Sequence, residues 1–155
     1  MAQRKIIIVG ENNLCRSFMG ETILRGQIRK KEVSDIEVIS RGLVVLFSEP
    51  VSPIAATLLR EHGYAIEEFR SSQLTEEDLD SADLVLTMTG EQAERIREDF
   101  NTQTACMSIG TFIDMEDEIP LITEDKESYE KCFTVLEQLM EAVADRVIGE
   151  LLPTE

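Results

Sequence analysis

The feature that most constrains this chain is the run Ile6-Ile7-Ile8-Val9 together with the turn-rich segment after it. Four consecutive β-branched residues with no polar alternation suit a strand buried on both faces, as in a parallel sheet lying between helices. The run stops at Gly10, and Gly10 to Leu14 (Gly-Glu-Asn-Asn-Leu) is rich in turn-forming residues. From Arg16 to Lys30 the apolar residues Met19, Ile23, Leu24 and Ile28 recur at helical spacing. Ile36 to Ser40 reads as a second strand. Ser52-Pro53 opens a helix, with serine as N-cap and proline at the first helical position, and Gly63 stops it after His62. Thr75-Glu76-Glu77-Asp78 starts a short helical turn with Thr75 as a capping-box N-cap. Leu84 to Met88 predicts a third strand, Glu91 to Phe100 an amphipathic helix and Ala105 to Ile109 a weak fourth strand. Ser128 to Leu152 predicts a long helix with Phe133, Leu136, Leu139, Met140, Val143 and Val147 on one side. This alternation implies an α/β fold, a doubly wound four-stranded parallel sheet with helices on both faces. Ligands of such folds bind beyond the C-terminal ends of the strands, which directs attention to Gly10–Leu14.

The 155 residues are expected to form a single domain, 1–155. The net charge of −16 disfavours nucleic acid and anionic membranes as partners, so any anion site must be local. Ile6–Val9 is far too short for the core of a signal peptide or a membrane span, and a cytoplasmic location is expected. The three cysteines, Cys15, Cys106 and Cys132, are odd in number and scattered, which excludes a disulfide scaffold. One histidine, His62, completes no metal-ligand set, and no metal or cofactor is expected. His62 precedes the Gly63 helix stop and reads as a capping residue.

The stretch Val9-Gly10-Glu11-Asn12-Asn13-Leu14-Cys15-Arg16-Ser17 resembles the phosphate-binding loop of the low-molecular-weight protein-tyrosine phosphatases. That family reads Val-Cys-x-Gly-Asn-x-Cys-Arg-Ser-Pro after its first strand, and it includes arginine-phosphatase-like and arsenate-reductase-like relatives. The resemblance is collinear along the chain. Glu49-Pro50-Val51-Ser52-Pro53, Glu61-His62-Gly63, the segment Arg70 to Leu79, Ala82 to Thr89 and Glu118-Ile119-Pro120 each match a family segment in order. It implies the family's fold and a loop whose backbone N–H groups and arginine hold a phosphoryl group. Carried over residue by residue, Arg16 matches the clamp arginine and Ser17 the serine that supports the nucleophilic thiolate. Asn13 matches the asparagine that fixes the loop, and Cys15 the second cysteine, which in the family can pair with the nucleophile. Glu11, Asn12, Asn13, Leu14, Cys15 and Arg16 are the implied phosphate-binding residues.

Both reactive groups depart from the family pattern. Gly10 stands six positions before Arg16, where the family has its nucleophilic cysteine. Leu121-Ile122 follows Pro120 where the family has Asp-Pro, so the general-acid position is Leu121. Asn12 replaces the loop glycine, where a positive φ is expected to favour glycine. Phe18 replaces the proline after the serine, and Arg41 to Phe47 replaces an aromatic substrate rim. Phe18 and Phe47 read as packing residues, with Phe47 a candidate for the mouth of the site. With no thiol at position 10, Cys15 has no partner inside the loop, and no disulfide is expected there. Glu11 poses a choice: its carboxylate either occupies the helix N-terminus itself or leaves the loop open to an anion. The leading expectation is a catalytically inactive or impaired pseudophosphatase that binds phosphate, a phosphorylated protein or another protein partner. The alternatives are an active phosphomonoesterase on phosphotyrosine or phosphoarginine, or an arsenate-reductase-like enzyme, using Cys15 or an acid from the run Asp114, Glu116, Asp117, Glu118. A third is an acidic protein-interaction module with a vestigial loop.

Overall fold

Four strands form one parallel sheet in the order β2-β1-β3-β4: β1 Arg4–Gly10, β2 Ile36–Gly42, β3 Leu84–Thr87 and β4 Cys106–Ser108. The computed structural model describes residues 3–13, 15–66, 69–115, 119, 122 and 125–151. β1 is flanked on both sides, by β2 and β3, and the side chains of Ile6 to Val9 are wholly buried. Successive strand residues point to opposite faces, so the run feeds two cores. Ile6 and Ile8 join Phe18, Ile23, Leu24, Leu59, Phe133 and Met140 on one face. Ile7 and Val9 join Leu74, Leu79, Ala93 and Ile96 on the other. The uninterrupted apolar run is thus two half-cores written into one strand.

Helices cover both faces, as expected. On the first face lie α1 (Arg16–Lys30), α2 (Pro53–Glu61), the single turn α5 (Ile109–Phe112) and α6 (Lys126–Leu151). The second face is covered by α3 (Glu76–Ser81) and α4 (Gly90–Asp99). The capping box of Thr75 is present, with Asp78 as its reciprocal partner, and Thr89 and Gln92 form a second one at α4. Several expected boundaries shift by one or two residues: β1 begins at Arg4, β2 runs on to Gly42, α4 spans Gly90–Asp99 and α6 begins at Lys126. β3 ends at Thr87: Met88 N still donates to Val9 O at 3.1 Å but shares its hydrogen with Gln92 Oε1 at 3.1 Å, and Thr89 N donates to Gln92 Oε1 alone at 3.1 Å as the cap of α4 begins. β4 is only three residues long, and Ile109 begins α5 because the Ser108 hydroxyl accepts from Thr111 N at 3.1 Å. The last residue of the expected C-terminal helix, Leu152, lies outside the described residues. No helix among the described residues is long and apolar enough to cross a membrane.

His62 caps α2: its Nδ1 lies 3.0 Å from Leu58 O, and Gly63 follows with φ of 86°. That left-handed glycine turns the chain so that Tyr64 N donates to Leu59 O at 3.0 Å. Tyr64 then ties three elements together. Its hydroxyl donates to Glu137 Oε2 at 2.7 Å and accepts from Gln27 Nε2 at 3.0 Å, while its ring lies against the bare Cα of Gly26.

A Cβ at Gly26 would sit 2.6 Å from Tyr64 Cδ1, whereas one at Gly149 on α6 would meet nothing within 4 Å. Replacing helical glycine by alanine gains about 1 kcal/mol of propensity, but overpacking costs about 1–3 kcal/mol. Gly26→Ala is therefore expected to lose about 1 kcal/mol of unfolding free energy, and Gly149→Ala to gain about 0.5 kcal/mol. Urea denaturation of both variants checks this; a stabilised Gly26→Ala would contradict the Tyr64 packing.

Candidate functional site

The C-terminal ends of β1 and β2 meet at a pair of glycines, Gly10 opposite Gly42. Gly10 O accepts from Leu43 N at 3.0 Å and Glu11 O from Val44 N at 2.8 Å, so the loops after the two strands are bonded to each other. Gly42 is required by close approach: a Cβ there would lie 2.8 Å from the backbone carbon of Asn12.

Asn13 sets the shape of the loop. Its φ is 61° and it is 1% exposed. Its Nδ2 donates to Ser17 Oγ at 3.0 Å and to Ser40 Oγ at 2.9 Å, and its Oδ1 accepts from Ser72 N at 2.9 Å. One side chain thereby joins α1, β2 and the segment after α2. The network continues inward: Ser40 Oγ donates to Glu21 Oε1 at 2.7 Å, and Glu21 Oε2 pairs with Arg25 Nη1 at 2.6 Å. The positive φ anticipated at Asn12 falls on Asn13 instead, because the side-chain bonds of Asn13 hold that residue in the left-handed region and Asn12 is not in it.

Gly10, Glu11, Asn12, Asn13, Cys15, Arg16 and Ser17 line one cavity of about 170 Å³, together with Ile122. The structure thus brings together the predicted loop residues it describes; Leu14 lies outside the described residues. Cys15 occupies the N-cap of α1 and makes no side-chain cap, so its side chain does not cover the first N–H groups of the helix. An uncapped helix start is an anion-binding arrangement. Arg16, the first residue of α1, adds a guanidinium to the cavity wall, its Nη1 3.5 Å from Ile119 O. An arginine opposes the helix dipole at this end, so its placement needs a negative partner to be favourable.

Glu11 does not supply that partner. Both of its carboxylate oxygens lie 3.0 Å from Arg95 Nη1 on α4. The ion pair is half exposed, so its contribution to stability is small, yet it engages the one acidic side chain that lines the cavity among the described residues.

At position 10 there is no side chain, and Ser17 lies close against the glycine. A Cβ built on Gly10 would lie 3.0 Å from Ser17 Cβ and 3.1 Å from its Oγ. The other end of the expected reaction is also apolar where it is described. Ile122 lines the cavity and Ile119 is buried, while Leu121, Pro120 and the acids Glu116, Asp117 and Glu118 lie outside the described residues.

Cys15 is half buried and its Sγ lies 3.5 Å from Tyr129 Oη on α6, which in turn is 3.0 Å from Ser52 Oγ. Phe18 is buried and stacks at 4.3 Å on Phe69, in keeping with a packing role. Phe47 is not a packing residue: it is 79% exposed and Leu46 82%. The loop that carries them is nonetheless fixed. Gln73 bonds Val45 N at 2.9 Å and Leu43 O at 2.7 Å, and Arg70 bonds Ser48 O at 2.6 Å. Sequence reasoning found Arg70-Ser71-Ser72-Gln73 as a family segment without a role; its role is to pin both loops. Ser40, Ser72, Arg95 and Tyr129 were missed, because each acts through a partner distant in sequence and none carries a local motif. Among the described residues no group of acids, cysteines and histidine is placed to hold a metal ion.

The family profile of the low molecular weight phosphotyrosine protein phosphatases matches residues 5–151. A probable low molecular weight protein-tyrosine-phosphatase, EpsP of Ralstonia nicotianae, is 30% identical over 90% of this chain and 88% of its own. The protein-arginine-phosphatase of Bacillus subtilis is 37% identical over 61% of this chain and 62% of its own. The crystal structure of the low molecular weight protein tyrosine phosphatase from T. tengcongensis superposes with a TM-score of 0.85 at 27% identity, covering 92% of this chain and 99% of that one. With a profile match from β1 to the end of α6 and the same four-stranded fold, the chain belongs to the low molecular weight phosphotyrosine protein phosphatase family.

Proposed function

We propose that this protein is a pseudophosphatase: a cytoplasmic, single-domain member of the family that binds phosphate or a phosphorylated protein at the Gly10–Ser17 loop and does not turn it over. The observation that carries the reading is the contrast within one cavity. The loop has features that suit an oxyanion: a helix start whose N-cap makes no side-chain cap, Arg16 on the cavity wall, and bracing by Asn13. The part that attacks phosphorus is absent at Gly10, and the residue at the acid position is Leu121. Covalent catalysis by a thiolate splits the displacement into two easier steps, and a general acid alone contributes about 10²–10⁴-fold. Losing both leaves binding without chemistry. Phosphotyrosine and phosphoarginine proteins are the ligand classes that the names of the relatives suggest.

Inorganic phosphate or vanadate is expected to raise the thermal midpoint. At 100 times its Kd a ligand adds about 2.7 kcal/mol, a shift of roughly 8 °C for a chain of this length. Arg16→Ala should remove most of the shift. Hydrolysis of a generic aryl phosphate should stay far below an ordinary kcat of about 1–10³ s⁻¹. Absence of any shift would leave the acidic interaction module with a vestigial loop. A second reading has its own observation, since the Cys15 thiol lines the cavity. Ordinary turnover abolished by Cys15→Ser would establish that reading, an active phosphatase or arsenate-reductase-like enzyme.

The scaffold should also be recoverable. Gly10→Cys with Leu121→Asp and Ile122→Pro is expected to gain measurable aryl-phosphatase activity, and Gly10→Cys alone less, or only a reactive thiol. The new side chain needs Ser17 to yield by a few tenths of an ångström, because its Cβ starts 3.0 Å from that of Ser17. Adding Glu11→Leu should raise the rate further, since it removes a negative charge from the cavity wall and releases the Arg95 guanidinium. Asn12→Gly should add little, because Asn12 does not have a positive φ. The measurement is kcat/KM along this ladder with folding checked for each variant. A folded five-fold variant as inert as its parent would mean that only the fold is shared with phosphatases.

A further inference from the structure

The loop offers Cys15 no partner, but the tertiary fold does. Cys15 stands on the wall of the 170 Å³ cavity, within reach of a small solute. Its Sγ lies 3.5 Å from Tyr129 Oη, and Ser52 holds that hydroxyl from the other side at 3.0 Å. The thiol is therefore held against α6. Three residues beyond Tyr129 on the same helix comes Cys132, and residues so spaced share a face. Cys132 is wholly buried, and Cys15 packs against the cluster that contains both Tyr129 and Cys132. The third cysteine, Cys106, lies on β4 in the cluster on the opposite face of the sheet. Cys132 is near enough for its thiol to feel the charges of both Arg16 and Cys15, so Cys15 and Cys132 share one side of the sheet and Cys106 lies on the other.

We propose that Cys15 and Cys132 form a disulfide under hydroperoxide, tying the wall of the candidate loop to α6. The chemistry takes two steps. The Cys15 thiolate attacks one peroxide oxygen; the S–O bond forms, the O–O bond breaks, and hydrogen peroxide leaves one oxygen on sulfur as sulfenic acid and the other as water. Cys132 sulfur then attacks Cys15 sulfur; the S–S bond forms, the S–O bond breaks, and hydroxide leaves as water with the Cys132 proton. Two thiols lose two electrons in all and the peroxide gains them.

The two cysteines differ in the way this sequence of steps requires. Cys15 borders the cavity beside Arg16 and is the accessible one. Burial pushes the Cys132 thiol up to about 12, against a lowering by the Arg16 charge, so its attack is the slow step. Sulfenic acid at Cys15 should accumulate before the crosslink forms, and raising the pH should speed the second step. The disulfide would remove the Cys15 thiol from the cavity wall and lock α1 to α6 at the base of the loop.

The test uses the full chain exposed to stoichiometric hydrogen peroxide, with a non-reducing digest read by mass spectrometry. The expected result is a Cys15–Cys132 peptide pair in the parent and in Cys106→Ser, lost in Cys15→Ser and reversed by dithiothreitol. In Cys132→Ala, and in Cys132→Ser should alanine fold poorly, Cys15 should remain as a sulfenic acid captured by a 1,3-dione. Oxidation of Cys15 straight to sulfinic acid in the parent, with no crosslink, would overturn the proposal. A Cys15–Cys106 or intermolecular bond would overturn it as well. The readout is covalent and independent of phosphate binding, so it stands or falls apart from the pseudophosphatase reading.

Discussion

Asn13 is the constraint on which the rest of the site depends. It is a polar side chain in the left-handed region, almost completely buried, at the junction of β1, β2 and α1. Asparagine tolerates that backbone better than other residues with a Cβ, and here its amide is bonded by Ser17, Ser40 and Ser72. A buried polar group left without a partner costs about 1–3 kcal/mol, so these partners must move together or not at all. That requirement fixes where α1 begins, and with it the direction of Arg16 and the opening of the helix start onto the cavity. The same network runs through Ser40 into the buried Glu21–Arg25 pair, which anchors the loop to the middle of α1 rather than to the surface.

In a protein of net charge −16, an anion at this cavity would meet two opposed electrostatic effects. At an ionic strength of 0.1 M the screening length is about 10 Å, so distant surface carboxylates are largely silenced. The local groups then dominate: Arg16, the helix N-terminus and the Glu11 carboxylate at the cavity wall. The Arg95 pair decides the sign. By engaging both oxygens of Glu11 it neutralises that acid at the wall.

The residues that shape this loop are different from the two positions that depart from the family's reactive pattern. Asn13, Ser17 and Gly42 determine the loop's shape through hydrogen bonds and close approach. Position 10 serves the fold through its backbone alone, with Gly10 O accepting from Leu43 N and Gly10 opposite Gly42 in the ladder, so the ladder with β2 needs no side chain there. The general-acid position, Leu121, belongs to a separate stretch of the sequence, more than a hundred residues from the loop. A chain can therefore keep the family's architecture while both reactive positions are changed.

The sequence by itself determined the alternation of strands and helices, because period and capping chemistry are local. The Ile6–Val9 run, Ser52-Pro53, the Thr75 box and the His62-Gly63 stop all read directly. It also located the loop, since the motif is contiguous. Where local signals competed, the sequence misplaced boundaries: Ile109 suits a strand by propensity, but the Ser108 cap turns it into α5. Only the tertiary structure decided which way Glu11 faces, where the positive φ falls, and which helix faces Cys15. Each of these depends on a partner far away in the chain: Arg95 for Glu11, Ser40 and Ser72 for Asn13, the Tyr129 face of α6 for Cys15. Such contacts have no period and no motif. They exist because the sheet brings the ends of its strands together and lays α6 beside α1 on one face, and that juxtaposition is a property of the folded chain alone.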